Sequence, residues 1–273
     1  MAIKRTLLYA ALLVWAGLCI YPLLWMFGAS LKQPMDVMKG YNLFPAGDWH
    51  WGTYASVWTD MHFFRYFKNS LNVTIWSLVL INVFFSMTAF ALAKINFSGR
   101  HVIFFMYLGM MFVPGITILI PLYLVEHSLH ILNTHTGLIL PIVNGAAPFA
   151  IFLLRNYFRS IPHELFESAK MEGASLFRIL FQIYIPLALP ALATITIMNF
   201  LGSWNTITLP MVILNNENLY TLPLAVMQLD TGVFRQWNVI MAGSLITTVP
   251  IVIAFIAFQK YYVQGLASGA VKS

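Results

Sequence analysis

Apolar runs long enough to cross a bilayer recur at about Leu7 to Phe27, Ser70 to Ala93, Val102 to Val125, Thr136 to Leu154, Ile183 to Trp204 and Val239 to Phe258. Each is free or nearly free of charge, and a spanning helix needs about 20 such residues. The pattern therefore predicts an all-α, polytopic membrane protein with about six transmembrane helices. A further apolar patch, Thr206 to Leu214, runs into Asn215-Asn216-Glu217-Asn218 and is too short to cross, so it is expected in an external loop or a re-entrant piece. Helix breakers fall inside several spans: Pro114, Gly115 and Pro121 in the third, Pro141, Gly145 and Pro148 in the fourth, Pro186 and Pro190 entering the fifth, and Pro250 in the sixth. Proline removes a backbone donor that lipid cannot replace, so kinks are expected at these positions.

Composition agrees with the pattern. The chain is 60% hydrophobic and 9% charged over 273 residues, far below the roughly 25% charge of a soluble domain. One polytopic domain over residues 1–273 is expected, with a core at about 68–262 and a cytoplasmic loop at about 155–182. The first run follows Lys4 and Arg5 but is longer than the apolar region of a signal peptide, so it is read as a retained helix. Cys19 stands alone in that run, and the seven histidines form no metal-ligand pattern.

The net charge of +6 changes the picture only through its placement. Lys4, Arg5, Lys94, Arg100, Arg155, Arg159, Lys170, Arg178, Lys260 and Lys272 collect on one side of the predicted spans, whereas Lys32, Lys39, Arg65, Lys68 and Arg235 fall on the other. By the bias of Lys and Arg toward the cytoplasm, both termini are expected inside. Charges scattered at span ends exclude a nucleic-acid surface and leave lipid as the partner along the spans. The external segment from about Ala29 to Lys68 carries Trp49, Trp51, Tyr54, Trp58 and Tyr66, as expected at the membrane interface.

The cytoplasmic loop is the most polar stretch on its side. Pro162 suits the first turn of a helix, and Glu164 and Glu167 lie where the helix dipole favours carboxylates. That helix should stop at Gly173, which can adopt the left-handed C-cap conformation. Ser175 can then cap a second helix running toward Pro186. Helix, sharp corner, helix is the expected shape, with a small-residue surface at Ser168, Ala169, Gly173 and Ala174 suited to contact with protein.

The spacing of Glu167, Ala169, Gly173, Ile183 and Pro186 resembles the signature loop of ATP-binding-cassette importer permeases, with Ser168, Glu172 and Ile185 as mild departures. Ser203-Trp204-Asn205, Tyr220-Thr221-Leu222-Pro223, Met241-Ala242-Gly243-Ser244 and the tail with Gly265-Leu266 and Gly269-Ala270-Val271-Lys272 are similar to the smaller permease subunit of the carbohydrate-uptake, maltose-type branch. The resemblance implies a multi-pass subunit of a prokaryotic inner membrane that translocates a sugar or oligosaccharide. It implies four kinds of partner: a homologous second permease, a cytoplasmic ATPase dimer, an extracytoplasmic solute-binding protein and the sugar itself. Glu167, Ser168, Ala169, Lys170, Met171, Glu172, Gly173 and Ala174 would form the coupling helix seated on the ATPase. The loop at about Leu214 to Gln236 would face the binding protein, with Asn215, Asn216, Glu217 and Tyr220 as contact candidates.

No phosphate-binding motif is present: the tail has glycines and Lys272-Ser273 but no adjacent Gly-Lys pair and no helix to follow. The expectation is a non-enzymatic subunit without a cofactor of its own, ATP and Mg being held by the partner ATPase. For the solute path the candidates are Asn82, Asn144, Asn199, Trp204 and Asn205, since amides and an aromatic face suit hydroxyls and sugar CH groups. Interhelical hydrogen bonding is the alternative role for these amides. No carboxylate or lysine is expected at mid-depth, which argues against an ion-coupled secondary carrier. A permease for glycerol phosphate or a polyol and a scaffold without a path are the remaining alternatives.

Overall fold

A computed structural model of the chain describes residues 2–38, 42–229 and 236–270. Among the described residues the regular structure is entirely helical. In chain order the helices are α1 (Ala2–Ser30), α2 (Gly52–Thr59), α3 (Phe63–Lys94), α4 (Arg100–Met110), α5 (Leu119–Ser128), α6 (His135–Ser160), α7 (His163–Met171), α8 (Leu176–Ile179), α9 (Ile185–Leu187), α10 (Leu189–Trp204), α11 (Thr208–Ile213), α12 (Leu222–Gln228) and α13 (Trp237–Ala270). Short 3-10 turns at Gly115–Ile118 and Glu217–Leu219 and a π turn at Leu180–Tyr184 join some of them.

Four of these helices are long and apolar enough to cross a membrane unaided, at Lys4–Ser30, Phe63–Lys94, His135–Ser160 and Trp237–Gln259. The expected third and fifth spans are instead bent: Arg100–Met110 meets Gly115–Ser128 at 98°, and Leu176–Leu187 meets Leu189–Trp204 at 80°. In the first case α4 ends at Met110, and Pro114, which has no N–H to continue a helical ladder, adopts extended backbone (ψ 127°) before the chain turns again at Gly115. In the second, Pro186 and Pro190 lie four residues apart, so two donors are lost from one helix face around Ala188. The isolated prolines Pro141, Pro148 and Pro250 remain inside unbroken helices. A lone proline costs one rung, and the rest of the ladder keeps its direction.

The chain forms two compact units, Met1–Phe67 with Thr221–Pro250, and Lys68–Tyr220 with Ile251–Ser273. In the first unit, α1 is apolar all round and its spanning window is 0% buried, the property of a helix whose surroundings are lipid or another protein. Lys32 Nζ donates to the Asn42 carbonyl, and Asn238 Nδ2 donates to Thr53 Oγ1 at 3.2 Å. Phe44 stacks on Trp49 at 5.8 Å and Trp49 on Trp51 at 6.1 Å. Gly243 lies so close to Phe63 that an added Cβ would be 2.8 Å from its ring.

The second unit has two cores along α3. One joins Ile81, Phe85 and Phe90 of α3 to Ala150, Leu154 and Phe158 of α6, Phe166 of α7, Ile179 of α8 and Ile195 of α10. The other joins Val73 of α3 to Leu138 of α6 and to Ile213 and Leu214 at the end of α11. The patch Thr206 to Leu214, too short to span, is thus a short helix rooted in a core. Lys68 lies inside α3 and not in the preceding loop, because the helix starts at Phe63.

Candidate functional site

The loop between α6 and α10 has the shape its residues dictate. Helix α7 ends at Met171, Glu172 is its C-cap, and Gly173 follows with φ +77°. The Gly173 N–H donates to the Lys170 carbonyl at 3.0 Å and the Ala174 N–H to the Ala169 carbonyl at 3.0 Å. That pair of bonds is a Schellman closure, which satisfies helix-end carbonyls only if one residue goes left-handed. Ser175 then caps α8, its Oγ accepting from the Arg178 N–H at 3.3 Å. Pro162 sits at the N-cap of α7, one position before the expected first turn.

Helix α7 presents two different faces. Phe166 and Ala169, three residues apart, are buried and root it in the core, with Ala174 packed beside them. Glu167, Ser168, Lys170, Met171, Glu172 and Gly173 are exposed, and Met171 is 88% exposed. Helix α7 thus carries an exposed, charged rim around a bare methionine while a buried phenylalanine fixes it to the core.

Beneath α7 lie groups that the sequence marked only as topology charges. Lys94, at the end of α3, is buried, and its Nζ donates to the carbonyl of Ile161, the residue between α6 and α7, at 2.7 Å. The same ammonium stands 5.3 Å from the centroid of the Tyr184 ring. Arg155 is also buried, its guanidinium 3.8 Å from the Phe104 centroid and its Nε donating to the Leu92 carbonyl at 3.4 Å. Charges expected at the membrane edge are instead spent inside the protein, holding backbone carbonyls. Only the packing of three helices around them reveals this.

At the other end of α3 a rigid exposed loop is built. Asn133, with φ +57°, accepts at Oδ1 from the N–H groups of Asn215 (3.0 Å) and Asn216 (2.9 Å). Asn69 Nδ2 donates to the carbonyls of Asn218 (2.8 Å) and Tyr220 (3.0 Å). Asn72 Nδ2 donates to His135 Nδ1 at 3.2 Å, which leaves Nε2–H to donate to the Leu219 carbonyl at 3.1 Å. Asn215, Asn216 and Glu217 are thereby held at the surface, with Tyr220 half-buried behind them. Asn69, Asn72 and Asn133 carry no mark in the sequence and His135 stands out there only as one of a histidine group near a span end, since a polar residue in that position gives no sign of what it will anchor. The remainder of the expected loop, at 230–235, lies outside the described residues, as does Val271-Lys272 of the tail.

The expected path residues separate. Trp204 is buried, at 1% exposure, with Phe200 stacked on it at 5.8 Å, so its ring faces the protein interior. Asn205 is exposed but turns its amide to the Leu201 carbonyl at 3.0 Å, as Asn199 does to Ile195 at 2.9 Å. Asn82 bonds Leu78 at 2.9 Å and accepts from Thr196 Oγ1 at 3.2 Å. These three amides already serve within or between helices. Asn144, by contrast, is exposed on α6 beside the exposed Gly145. Glu126, one residue past the predicted third span, is buried at 2% exposure in α5, with an Oε that would lie 3.1 Å from a Cβ at Gly137. Neither of its carboxylate oxygens has a hydrogen-bond partner among the described residues.

Four membrane-length helices and two bent helix pairs define a polytopic membrane protein, and comparison with known proteins gives its family. Residues 52–268 match the family model described as binding-protein-dependent transport system inner membrane component, and the chain belongs to that family. It is 31% identical to the diacetylchitobiose uptake system permease protein NgcG of Streptomyces coelicolor, over 96% of this chain and 87% of that protein. It is 34% identical to the arabinooligosaccharides transport system permease protein AraQ of Halalkalibacterium halodurans, over 94% and 92% of the two chains. Among solved structures it is similar to a chain of a bacterial ABC transporter involved in import of the acidic polysaccharide alginate, with 28% identity, a TM-score of 0.84, and coverage of 96% and 97%. The protein is therefore a multi-pass membrane permease component of an ABC importer.

Proposed function

We propose that this chain is the smaller of two homologous permease subunits that carry a sugar or oligosaccharide inward, and that its two compact units serve as one permease domain. The observation that carries the reading is the α7–Gly173–α8 corner: a rooted helix whose segment Glu167 to Ala174 exposes Glu167, Ser168, Lys170, Met171, Glu172 and Gly173 to a partner. That partner is a cytoplasmic ATPase dimer holding ATP and Mg, and this chain contributes no catalytic group. Closure of the dimer displaces α7, and the broken spans rearrange so that the path opens first to one side and then to the other. Both termini are cytoplasmic in this reading.

The anchored loop at Asn215, Asn216, Glu217 and Tyr220 receives the solute-binding protein. Of the path candidates Asn144 is the best supported, because an exposed amide on a spanning helix needs a polar surround that lipid does not provide. A neighbouring subunit or a solute cavity provides one. The sugar class rests on the uptake systems named for diacetylchitobiose and arabinooligosaccharides.

The test is uptake of labelled diacetylchitobiose, arabinotriose and alginate oligomers by proteoliposomes holding the full complex, with ATP and Mg inside and binding protein outside. Import of at least one probe that requires ATP and ignores an uncoupler is expected. Uptake that collapses with the uncoupler and is indifferent to ATP would instead identify an ion-coupled carrier.

A further inference from the structure

Four aromatic rings meet under the coupling helix, one from each element that has to move with it or resist it. Phe90 of α3 lies 6.1 Å from Phe166 of α7, 6.2 Å from Phe158 of α6 and 5.0 Å from Tyr184 of the π turn, centroid to centroid. Phe158 and Tyr184 close the cluster at 5.7 Å. All four residues are buried. One turn beyond Phe90 on α3 is Lys94, which reaches both sides of the corner: its ammonium holds the Ile161 carbonyl at the entry to α7 and lies over the Tyr184 ring beyond α8.

A lysine in this position is an expensive way to join two helices. Burial of an ammonium is tolerated only where its hydrogen bonds and its aromatic contact compensate for lost water. An apolar side chain of the same length would fill the space, so packing alone does not call for the charge. What the ammonium adds is direction: it ties α3 to a single carbonyl, that of the residue leading into α7. The element on its other side is a π turn, a wider and weaker helical form that recurs at functional positions. The hydroxyl of Tyr184 at its end is buried with no hydrogen-bond partner among the described residues. The link from Lys94 to the entry of α7 thus faces a segment whose buried polar group has no partner among the described residues, a feature that calls for an explanation.

We infer that Lys94 is the positioning residue that transmits displacement of the coupling helix to the long span α3, with the π turn at Leu180–Tyr184 as the segment that yields. The inference rests on the proposed importer reading. It concerns coupling and not assembly, because Lys94 is buried, whereas Glu167, Ser168, Lys170, Met171, Glu172 and Gly173, which would seat in the ATPase, are exposed.

The experiment compares ATP hydrolysed per sugar imported in proteoliposomes holding the full complex, using whichever of the three labelled sugars the unaltered complex imports. Lys94→Met keeps the stem and removes the donor. The expected result is at least a tenfold rise in ATP consumed per sugar, with hydrolysis within twofold of the unaltered complex. Lys94→Arg, which restores a donor, should bring the ratio back to within threefold. An unchanged ratio in Lys94→Met, whether both rates hold or both fall together, overturns the inference, since a merely structural lysine gives that result. If the unaltered complex shows no ATP-dependent import, the importer reading and this inference fall together. A coupled unaltered complex with an unchanged Lys94→Met ratio sinks this inference alone.

Discussion

Gly173 shows how one residue fixes a joint. Its φ of +77° is closed to β-branched side chains, while no atom lies within 4 Å of an added Cβ, so substitution acts through backbone strain alone. Gly173→Val should cost on the order of 1–3 kcal/mol locally and abolish uptake while leaving membrane insertion intact. Gly173→Asn, which tolerates the left-handed region, should retain most uptake. Equal loss in the two variants would show that the corner geometry is not what matters. Trp204 makes the opposite point, because its neighbours and not its backbone define it. Removing a buried ring of this size costs about 3–5 kcal/mol, so Trp204→Ala should lower the unfolding temperature of the purified complex and reduce ATPase stimulation and transport together. Selective loss of transport at unchanged stability would return Trp204 to the solute path.

At the scale of elements, the loop at Asn215 to Tyr220 depends on hydrogen-bond partners far away in sequence. Asn133 supplies one oxygen to two amides and holds φ +57° itself. Asn133→Ala therefore loses both bonds and adds backbone strain, on the order of 2 kcal/mol or more in all. Amide exchange at Asn215 and Asn216 should accelerate about tenfold, and stimulation by the binding protein should weaken; unchanged exchange would mean the loop is held by other contacts. The bent spans belong to this scale as well. Pro114 and the pair Pro186 and Pro190 were visible as breakers in the sequence, but so were Pro141, Pro148 and Pro250, which do not interrupt their helices. A breaker says that a rung is missing. Whether the chain then turns through 98° or continues straight depends on what packs beside the gap.

For the whole molecule the first question is orientation. In a Cys19→Ser background, Asn216→Cys should react with an impermeant maleimide from outside the cell, and Ser168→Cys only after permeabilisation. Both positions are exposed, so burial cannot mimic sidedness. The reverse pattern would overturn the placement of the termini and the docking role of α7 with it.

The sequence by itself determined the helical class, the approximate position of the four unbroken spans and of the two bent helix pairs, and the helix–corner–helix at Pro162 to Pro186. Each of these is local: hydrophobic length against bilayer thickness, a residue free to take positive φ, a serine that caps three residues on. The spacing around Glu167 and Gly173 was enough to indicate the family to which residues 52–268 belong. Only the tertiary structure decided that Lys94 and Arg155 face inward, that Trp204 is interior while Asn144 is exposed, that Glu126 is buried, and that Asn69, Asn133 and His135 hold the loop at Asn215 to Tyr220. Those are facts about partners up to 151 residues apart in the chain. A charge near the end of an apolar run reads the same whether it meets water, lipid headgroups or a carbonyl of another helix, and only the folded chain brings that carbonyl within 2.7 Å of Lys94.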